Sequence, residues 1–304
     1  MYAAYVTSLS MDDPLSGLAV GEVSAAAPPD GWVRVRVEAA ALNHHDLWSL
    51  RGVGLAADRL PMVLGCDAAG VTDDGREVIV HAVISRPGWD GDETEDPKRS
   101  LLSEVHPGTL AEEVWVPARN LVPKPAELSF AEAACLPTSW LTAYRMLFTK
   151  AGLAPGQTVL VQGAGGGVAS AAIALARAAG LRVWATTRDE TKADRAREIG
   201  ADQVFRPGER LPDRVDAVLD SVGAATWAHS LRALRPGGRL VTCGATSGPN
   251  PPADLNRVFF LQLQVIGSTM GTRDELVRLS RMLVETGVRP VIDRVLPLSQ
   301  AADG

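Results

Sequence analysis

The stretch Thr158-Val-Leu-Val-Gln-Gly-Ala-Gly-Gly-Gly-Val-Ala-Ser170 carries the clearest chemistry in the chain. Gly163, Gly166 and Ala169 recur at every third position, with Ala164, Gly165, Gly167 and Val168 between them. A turn stripped of side chains at the start of a helix presents free backbone N–H groups and the positive end of the helix dipole. A pyrophosphate can approach it closely. The plainer alternative is an ordinary tight strand-to-helix turn. Against it stand a strand before the turn, a helix after it and a second strand, Leu181 to Thr186. An NAD site wants a carboxylate at the tip of that second strand, to accept the ribose hydroxyls. Here the tip reads Thr186-Thr187-Arg188, and the first acids, Asp189-Glu190, come past it. Thr187, Arg188 and Lys192 offer hydroxyl and cationic groups suited to a 2′-phosphate, so the expected cofactor is NADPH rather than NADH. A second group, Asn43-His44-His45-Asp46, gathers an amide, two imidazoles and a carboxylate. Adjacent histidines point to different sides of a helix or strand, so they do not make a metal pair.

The elements that must position these groups can be read from pattern. Val159 to Val161 is short, apolar and β-branched, as in a central strand, and Ala169 to Ala179 is built from helix formers. Residues 1 to about 120 read as β-rich. Trp32-Val-Arg-Val-Arg-Val37 alternates strictly, which predicts one buried face and one face of arginines. Gly65 to Val71 and Glu77 to Ala82 are further strands, joined by the turn Asp73-Asp-Gly75, and Asn43 to Leu50 forms one or two helical turns. Residues 86 to 108 are polar, acidic and rich in Pro and Gly, which predicts a solvated surface loop. After Pro123-Lys-Pro125 the texture changes. Helical patterns (Leu128 to Cys135, Trp140 to Thr149, Thr191 to Ile199, Ala224 to Leu234) alternate with the short apolar runs Val215 to Leu219 and Arg239 to Cys243. That alternation predicts a parallel, doubly wound sheet. Gly237-Gly238 reads as a helix stop before a strand. A helix from Asp274 to Thr286 and a short strand near Val295 follow.

Bulk properties narrow the function classes. With 304 residues the chain has room for two domains, and 46% apolar and 22% charged residues suit a globular protein. The net charge of −6 argues against a nucleic-acid or anionic-membrane partner. No apolar run reaches membrane-spanning length, and the N-terminus reads as free of a targeting peptide. Three scattered cysteines, Cys66, Cys135 and Cys243, make no disulfide framework and fit a cytoplasmic protein.

Several motifs in order resemble the medium-chain dehydrogenase/reductase superfamily, in particular its zinc-free, quinone-oxidoreductase-like branch. They are Ala41-Leu-Asn-His-His-Asp46 with Arg51-Gly52, Leu64-Gly-Cys-Asp-Ala-Ala-Gly70, Ala134-Cys-Leu-Pro-Thr138 with Leu141-Thr-Ala-Tyr144, Gly163 to Val168, Asp220-Ser-Val-Gly223 and Gly267-Ser-Thr-Met-Gly271. The resemblance implies an α/β protein. A GroES-like β-rich catalytic domain (1–122, joined by 270–304) accompanies a Rossmann nucleotide-binding domain (123–269), with the active site in the cleft between them. Relatives of this kind run some twenty residues further, to a closing strand, whereas this chain stops at Ala301-Ala-Asp-Gly304. The resemblance also assigns roles. Asn43, His45 and Thr138 fall at the reacting centre, Asn43 to hold a carbonyl oxygen and His45 to pass a proton. Asn43, Thr142, Val222, Gly244, Ala245, Ser268, Thr269 and Met270 line the cofactor. Asp46 is expected to orient its motif by pairing with Arg51. Related sequences often place a tyrosine near position 207 on the phosphate; here Pro207 stands there, with Arg206 able to substitute.

Zinc-type members of the superfamily hold their metal at the positions of Asn43, Cys66-Asp67 and Thr138. An amide and a hydroxyl are poor zinc ligands, and the 86–108 segment has no cysteine for a second, structural zinc. The expected protein is therefore a metal-free, NADPH-dependent oxidoreductase passing hydride to a quinone or an α,β-unsaturated carbonyl compound, and a homodimer. Two alternatives remain open from sequence: a zinc-dependent alcohol dehydrogenase, and a non-catalytic NADPH-binding structural or regulatory protein.

Overall fold

A computed structural model describes residues 1–24 and 27–304. It divides the chain into two compact units, Met1–Thr138 with Met270–Gly304, and Ser139–Thr269. Among the described residues no helix is long and apolar enough to cross a membrane.

The first unit is built on a five-stranded antiparallel sheet. Its strand order is Leu121–Pro123, Glu77–Val80, Asp67–Thr72, Trp32–Ala41 and Glu113–Pro117. The alternation of Trp32–Val37 does what it predicts: Val35 is fully buried, while Arg34 and Arg36 face solvent. Val35 packs with Ala68, Val78, Val80 and Val116, each β-branched residue contributing about 1.5–3 kcal/mol when buried. The turn after Thr72 closes through Gly75, whose φ of 84° favours glycine. A three-stranded sheet, Leu18–Glu22, Tyr2–Val6 and Met62–Val63, completes the unit.

The second unit is a six-stranded parallel sheet in the order Gln203–Phe205, Arg182–Thr186, Thr158–Val161, Val215–Asp220, Leu234–Thr242 and Gln264–Gly267. The order reverses beside Thr158–Val161, which is where such sheets bind nucleotides. All four residues of that strand are buried, so its continuous apolar run reflects cover on both faces.

Three expectations need correction. The domain boundary lies after Thr138, not after residue 122. Residues 123–138 stay with the first unit because Lys124 donates from its backbone to the Glu77 carbonyl and pairs with the Glu77 carboxylate at 2.9 Å. The short helix Phe130–Ala134, capped by Ser129 and Glu132, also packs on the antiparallel sheet. Gly237 and Gly238 do not precede a strand but lie within Leu234–Thr242. Leu234 pairs with Val215 and Arg239 with Ala217, so the residues between bulge out. No strand forms near Val295, which is 74% exposed and so gains nothing from pairing.

The 86–108 segment is also more than a solvated loop. Ser100–Leu101 pairs with Val83–Ile84, and Asp96 is completely buried. One Asp96 oxygen accepts the Arg86 N–H at 2.8 Å and the other the Lys98 N–H at 2.9 Å. The acidic composition concealed a structural carboxylate.

Asp96→Ala is expected to free both N–H groups and loosen residues 86–99. Limited proteolysis should then nick the variant within this segment while the wild type stays intact.

Candidate functional site

In the second unit the nucleotide-binding turn is shaped by two glycines. Gly163 has φ 75° and Gly165 φ 123°, backbone that side-chain-bearing residues avoid. A Cβ on Gly163 would lie 2.9 Å from Val222 Cγ2, and one on Gly165 would lie 2.7 Å from Lys192 Cδ. A Cβ on Gly166 would meet nothing, so the turn is open there, at the N-cap of the helix Gly167–Ala178. The turn thus offers a bare backbone cradle to a diphosphate. Ala164 donates its N–H to the Thr186 carbonyl at 2.8 Å. Val168 follows in the first turn of the helix, and Thr142 is buried on a short helix packed against it.

The strand tip beyond Thr186 carries the expected cations. Arg188, Lys192 and Arg206 are exposed, and none pairs with a carboxylate among the described residues. Asp189, the nearest acid, accepts the Lys192 N–H at 3.0 Å and so caps its own helix, Glu190–Glu198. Thr187 accepts the Asp189 N–H. The opposite wall joins Val222, Gly244 and Ala245. The Val222 carbonyl accepts both the N–H and the hydroxyl of Ser247, and a Cβ on Gly223 would lie 2.9 Å from Ala245 Cα. The Ser268 hydroxyl is buried without a partner among the described residues, whereas Thr269 is exposed. A turn of backbone donors, unpaired cations and an unspent hydroxyl fit a phosphorylated dinucleotide.

In the first unit Asn43, Asp67 and Thr138 converge. Asp67 is 1% exposed; its two oxygens accept Asn43 Nδ2–H at 2.9 Å and the Thr138 hydroxyl at 2.6 Å. Burial pushes the Asp67 carboxyl up to about 7, against the pull of Thr138 and Asn43. Asn43 Nδ2 also has a long contact, 3.4 Å, to the Ala41 carbonyl. Asn43 also caps the helix His44–Leu50, and its N–H is accepted by Asp46 at 2.8 Å. The expected Asp46–Arg51 pair does not form. Asp46 is spent on the cap, and Arg51 stacks over Trp48 at 5.1 Å.

His45 lies between two partners: Nε2 is 2.9 Å from Glu104 and Nδ1 is 3.5 Å from Cys66 Sγ. Burial alone would lower its pKa; the contacts with Cys66 and Glu104 outweigh that and raise it. The Cys66 thiol is itself pushed up by burial and donates to the Leu102 carbonyl, so Glu104 is the partner that keeps the imidazole charged. A protonated imidazole cannot accept a further proton; it can donate a hydrogen bond or its proton, or present positive charge. Glu104 and Asp67 are the residues that sequence reasoning undervalued. Glu104 lies in the segment whose composition reads as solvated, and Asp67 stands out in the sequence only at a zinc-ligand position. Met270, expected at the cofactor, packs against the first unit's apolar core. Next to it, the Gly271 carbonyl meets His81 Nε2 at 2.9 Å.

The donor set does not fit a zinc ion. At the expected ligand positions an amide and a hydroxyl are already hydrogen-bonded to the only carboxylate there. No group of three His, Cys, Asp or Glu among the described residues is arranged to hold a metal.

Comparison with known proteins gives two family-model matches and several similar chains. Residues 29–126 match the family model of the alcohol dehydrogenase GroES-like domain, and residues 167–285 that of the zinc-binding dehydrogenases. An acryloyl-coenzyme A reductase of Metallosphaera sedula is 30% identical over 95% of this chain and 92% of its own length. A solved NAD-dependent alcohol dehydrogenase is 36% identical and superposes with a TM-score of 0.90, covering 100% of this chain and 94% of that one. The solved 2-octenoyl-CoA carboxylase reductase CinF, in complex with NADP and 2-octenoyl-CoA, is 27% identical with a TM-score of 0.86. It covers 99% of this chain and 84% of its own.

Two titrations check the first unit. The His45 pKa, followed by NMR, should lie far above 6.5 and fall toward it in Glu104→Gln. The stability this ion pair contributes is complete below pH 6.5 and lost as pH rises through the raised pKa of folded His45, so the variant loses stability at neutral pH. Asp67 holds its proton more tightly folded than unfolded, so it lowers stability as pH rises from 3.8 to about 7. Urea unfolding of Asp67→Asn should lack that decline.

Proposed function

Because this chain belongs to the medium-chain dehydrogenase/reductase superfamily, we propose that it is an NADPH-dependent reductase of α,β-unsaturated carbonyl compounds, enoyl thioesters first among them. The observation that carries this reading is the pairing of a bare glycine turn with unpaired cations at the second strand tip, while the nearby acid caps its own helix. Bound NADPH supplies the hydride, to the carbon β to the carbonyl. The backbone of residues 163–167 grips the diphosphate, and Arg188 and Lys192 receive the 2′-phosphate. Val222, Gly244, Ala245, Ser268 and Thr269 line the rest of the nucleotide. In the first unit the Asn43 amide polarises the substrate carbonyl, and protonated His45 favours the negative charge that develops on its oxygen. Asp67 and Thr138 fix the direction of the Asn43 amide. The names of the acyl-CoA-reducing relatives support an enoyl thioester over a quinone.

No metal is required in this scheme, and the amide–carboxylate–hydroxyl cluster supports a zinc-free enzyme. The family model's name and the alcohol dehydrogenase likeness favour a second reading, zinc-dependent alcohol oxidation. Elemental analysis of purified protein separates the two, near-stoichiometric zinc being the result that removes the metal-free reading. We also propose a homodimer. The edge strand Gln264–Gly267 and the helix Leu255–Phe260 leave Phe259 61%, Phe260 77% and Val265 46% exposed, an apolar edge suited to a second copy.

Loss of NADPH absorbance with a panel of enoyl-CoA thioesters, enones, quinones and aldehydes is the direct assay. Turnover of the thioesters with NADPH in preference to NADH is expected, and no turnover across the panel would sink the proposal. Lys192→Ala should weaken NADPH binding by about tenfold while leaving NADH nearly unchanged. Phe260→Asp should shift the sedimenting species from dimer to monomer.

A further inference from the structure

A turn without side chains cannot hold its own shape by packing; something behind it has to. In the second unit that support is a chain of buried polar groups centred on Gln162, which is 1% exposed. Gly163 N–H donates to Thr186 Oγ1 at 3.2 Å, and the Thr186 hydroxyl donates to Gln162 Oε1 at 2.7 Å. From its other end the Gln162 amide donates at 3.0 Å to Ser230 Oγ and at 3.0 Å to His229 Nδ1. Ser230 donates to one oxygen of Asp220 at 2.7 Å; the other accepts the N–H groups of Val222 at 2.8 Å and Gly223 at 3.0 Å.

This chain of bonds runs from the glycine turn to the facing loop without a break, and every donor in it has an acceptor. Thr186, Asp220 and Ser230 are completely buried and His229 is 7% exposed, so water cannot replace a missing member. The polarity is fixed as well. Gln162 must turn its oxygen to Thr186 and its nitrogen to His229 and Ser230, which requires His229 to be neutral at Nδ1 and to donate from Nε2 to the Glu209 carbonyl at 2.9 Å. The two walls it connects already touch, since a Cβ on Gly163 would collide with Val222.

We infer that Gln162 is a positioning residue that sets the separation between the glycine turn and the Val222–Gly223 loop, and through it the affinity for the nucleotide. The inference rests on the reading of this turn as an NADPH site. Gln162 touches no ligand itself; it acts by orienting Gly163 through Thr186 and Asp220 through Ser230.

Equilibrium binding of NADPH, followed by fluorescence, tests it on the full chain, with thermal unfolding as a check on folding. Gln162→Met and Thr186→Val should each weaken NADPH by about tenfold, and Thr186→Ser, which keeps the hydroxyl, should bind like the wild type. Gln162→Glu gives the readout that packing alone would not move. A carboxylate at 162 can no longer donate to His229 Nδ1, so the contact returns only when His229 takes up a proton. The groups facing that imidazole are Gln162 and the Glu209 carbonyl, with Arg232 and Asp220 acting at longer range. Burial and Arg232 hold the wild-type imidazole neutral, and a carboxylate at 162 would raise its pKa. NADPH affinity of the Gln162→Glu protein should therefore approach wild type at acid pH and fall as pH rises, whereas the wild type shows no such step. If the wild type binds NADPH and all the variants bind within about twofold of it at every pH, the positioning role is wrong. If the wild type itself fails to bind NADPH or NADH, the nucleotide reading falls, and this inference with it.

Discussion

A carboxylate removed from water must be given hydrogen-bond donors, and each unit of this protein is organised around one that obeys that constraint. In the first unit Asp67, at the start of a central antiparallel strand, draws in Asn43 from one helix and Thr138 from the segment that ends the unit. In the second, Asp220 at the end of a parallel strand gathers two backbone N–H groups and two hydroxyls. Neither acid contacts solvent. Both turn a strand end into a fixed point from which loops depart at defined angles, and those loops carry the groups assigned to chemistry.

The two carboxylates differ in what surrounds them. Asp220 accepts from four donors, the N–H groups of Val222 and Gly223 and the hydroxyls of Thr226 and Ser230. Asp67 has only two and titrates near 7, so its charge is available to change under ordinary conditions. Next to it in sequence Cys66 stays a thiol, and across from that His45 stays charged because of Glu104. Charge in the first unit is thus distributed over a carboxyl near its midpoint and a fixed imidazolium–carboxylate pair. That distribution suits stabilising a developing negative charge better than abstracting a proton, and it agrees with reduction of a polarised double bond.

Acidic loop composition was a poor guide. The 86–108 segment holds the buried Asp96, which ties down its own backbone, and Glu104, which decides the protonation of His45. Composition averages over a segment, while one carboxylate aimed inward does structural work that its exposed neighbours Asp90 and Glu95 do not reveal.

The sequence by itself determined the parts whose physics is local. The glycine turn, the parallel sheet implied by alternating elements, the strict alternation of Trp32–Val37 and the missing acid at Thr186–Arg188 all follow from backbone conformation, periodicity and charge within a few residues. Only tertiary structure decided what depends on residues far apart in the chain. It paired Asn43 with Asp67 and Thr138, and His45 with Glu104, and it left Arg51 on Trp48 instead of Asp46. It also moved the unit boundary past Thr138. Those outcomes turn on which buried donor reaches which acceptor after the strands have packed, and on the loss of water around them, neither of which any short stretch of sequence encodes.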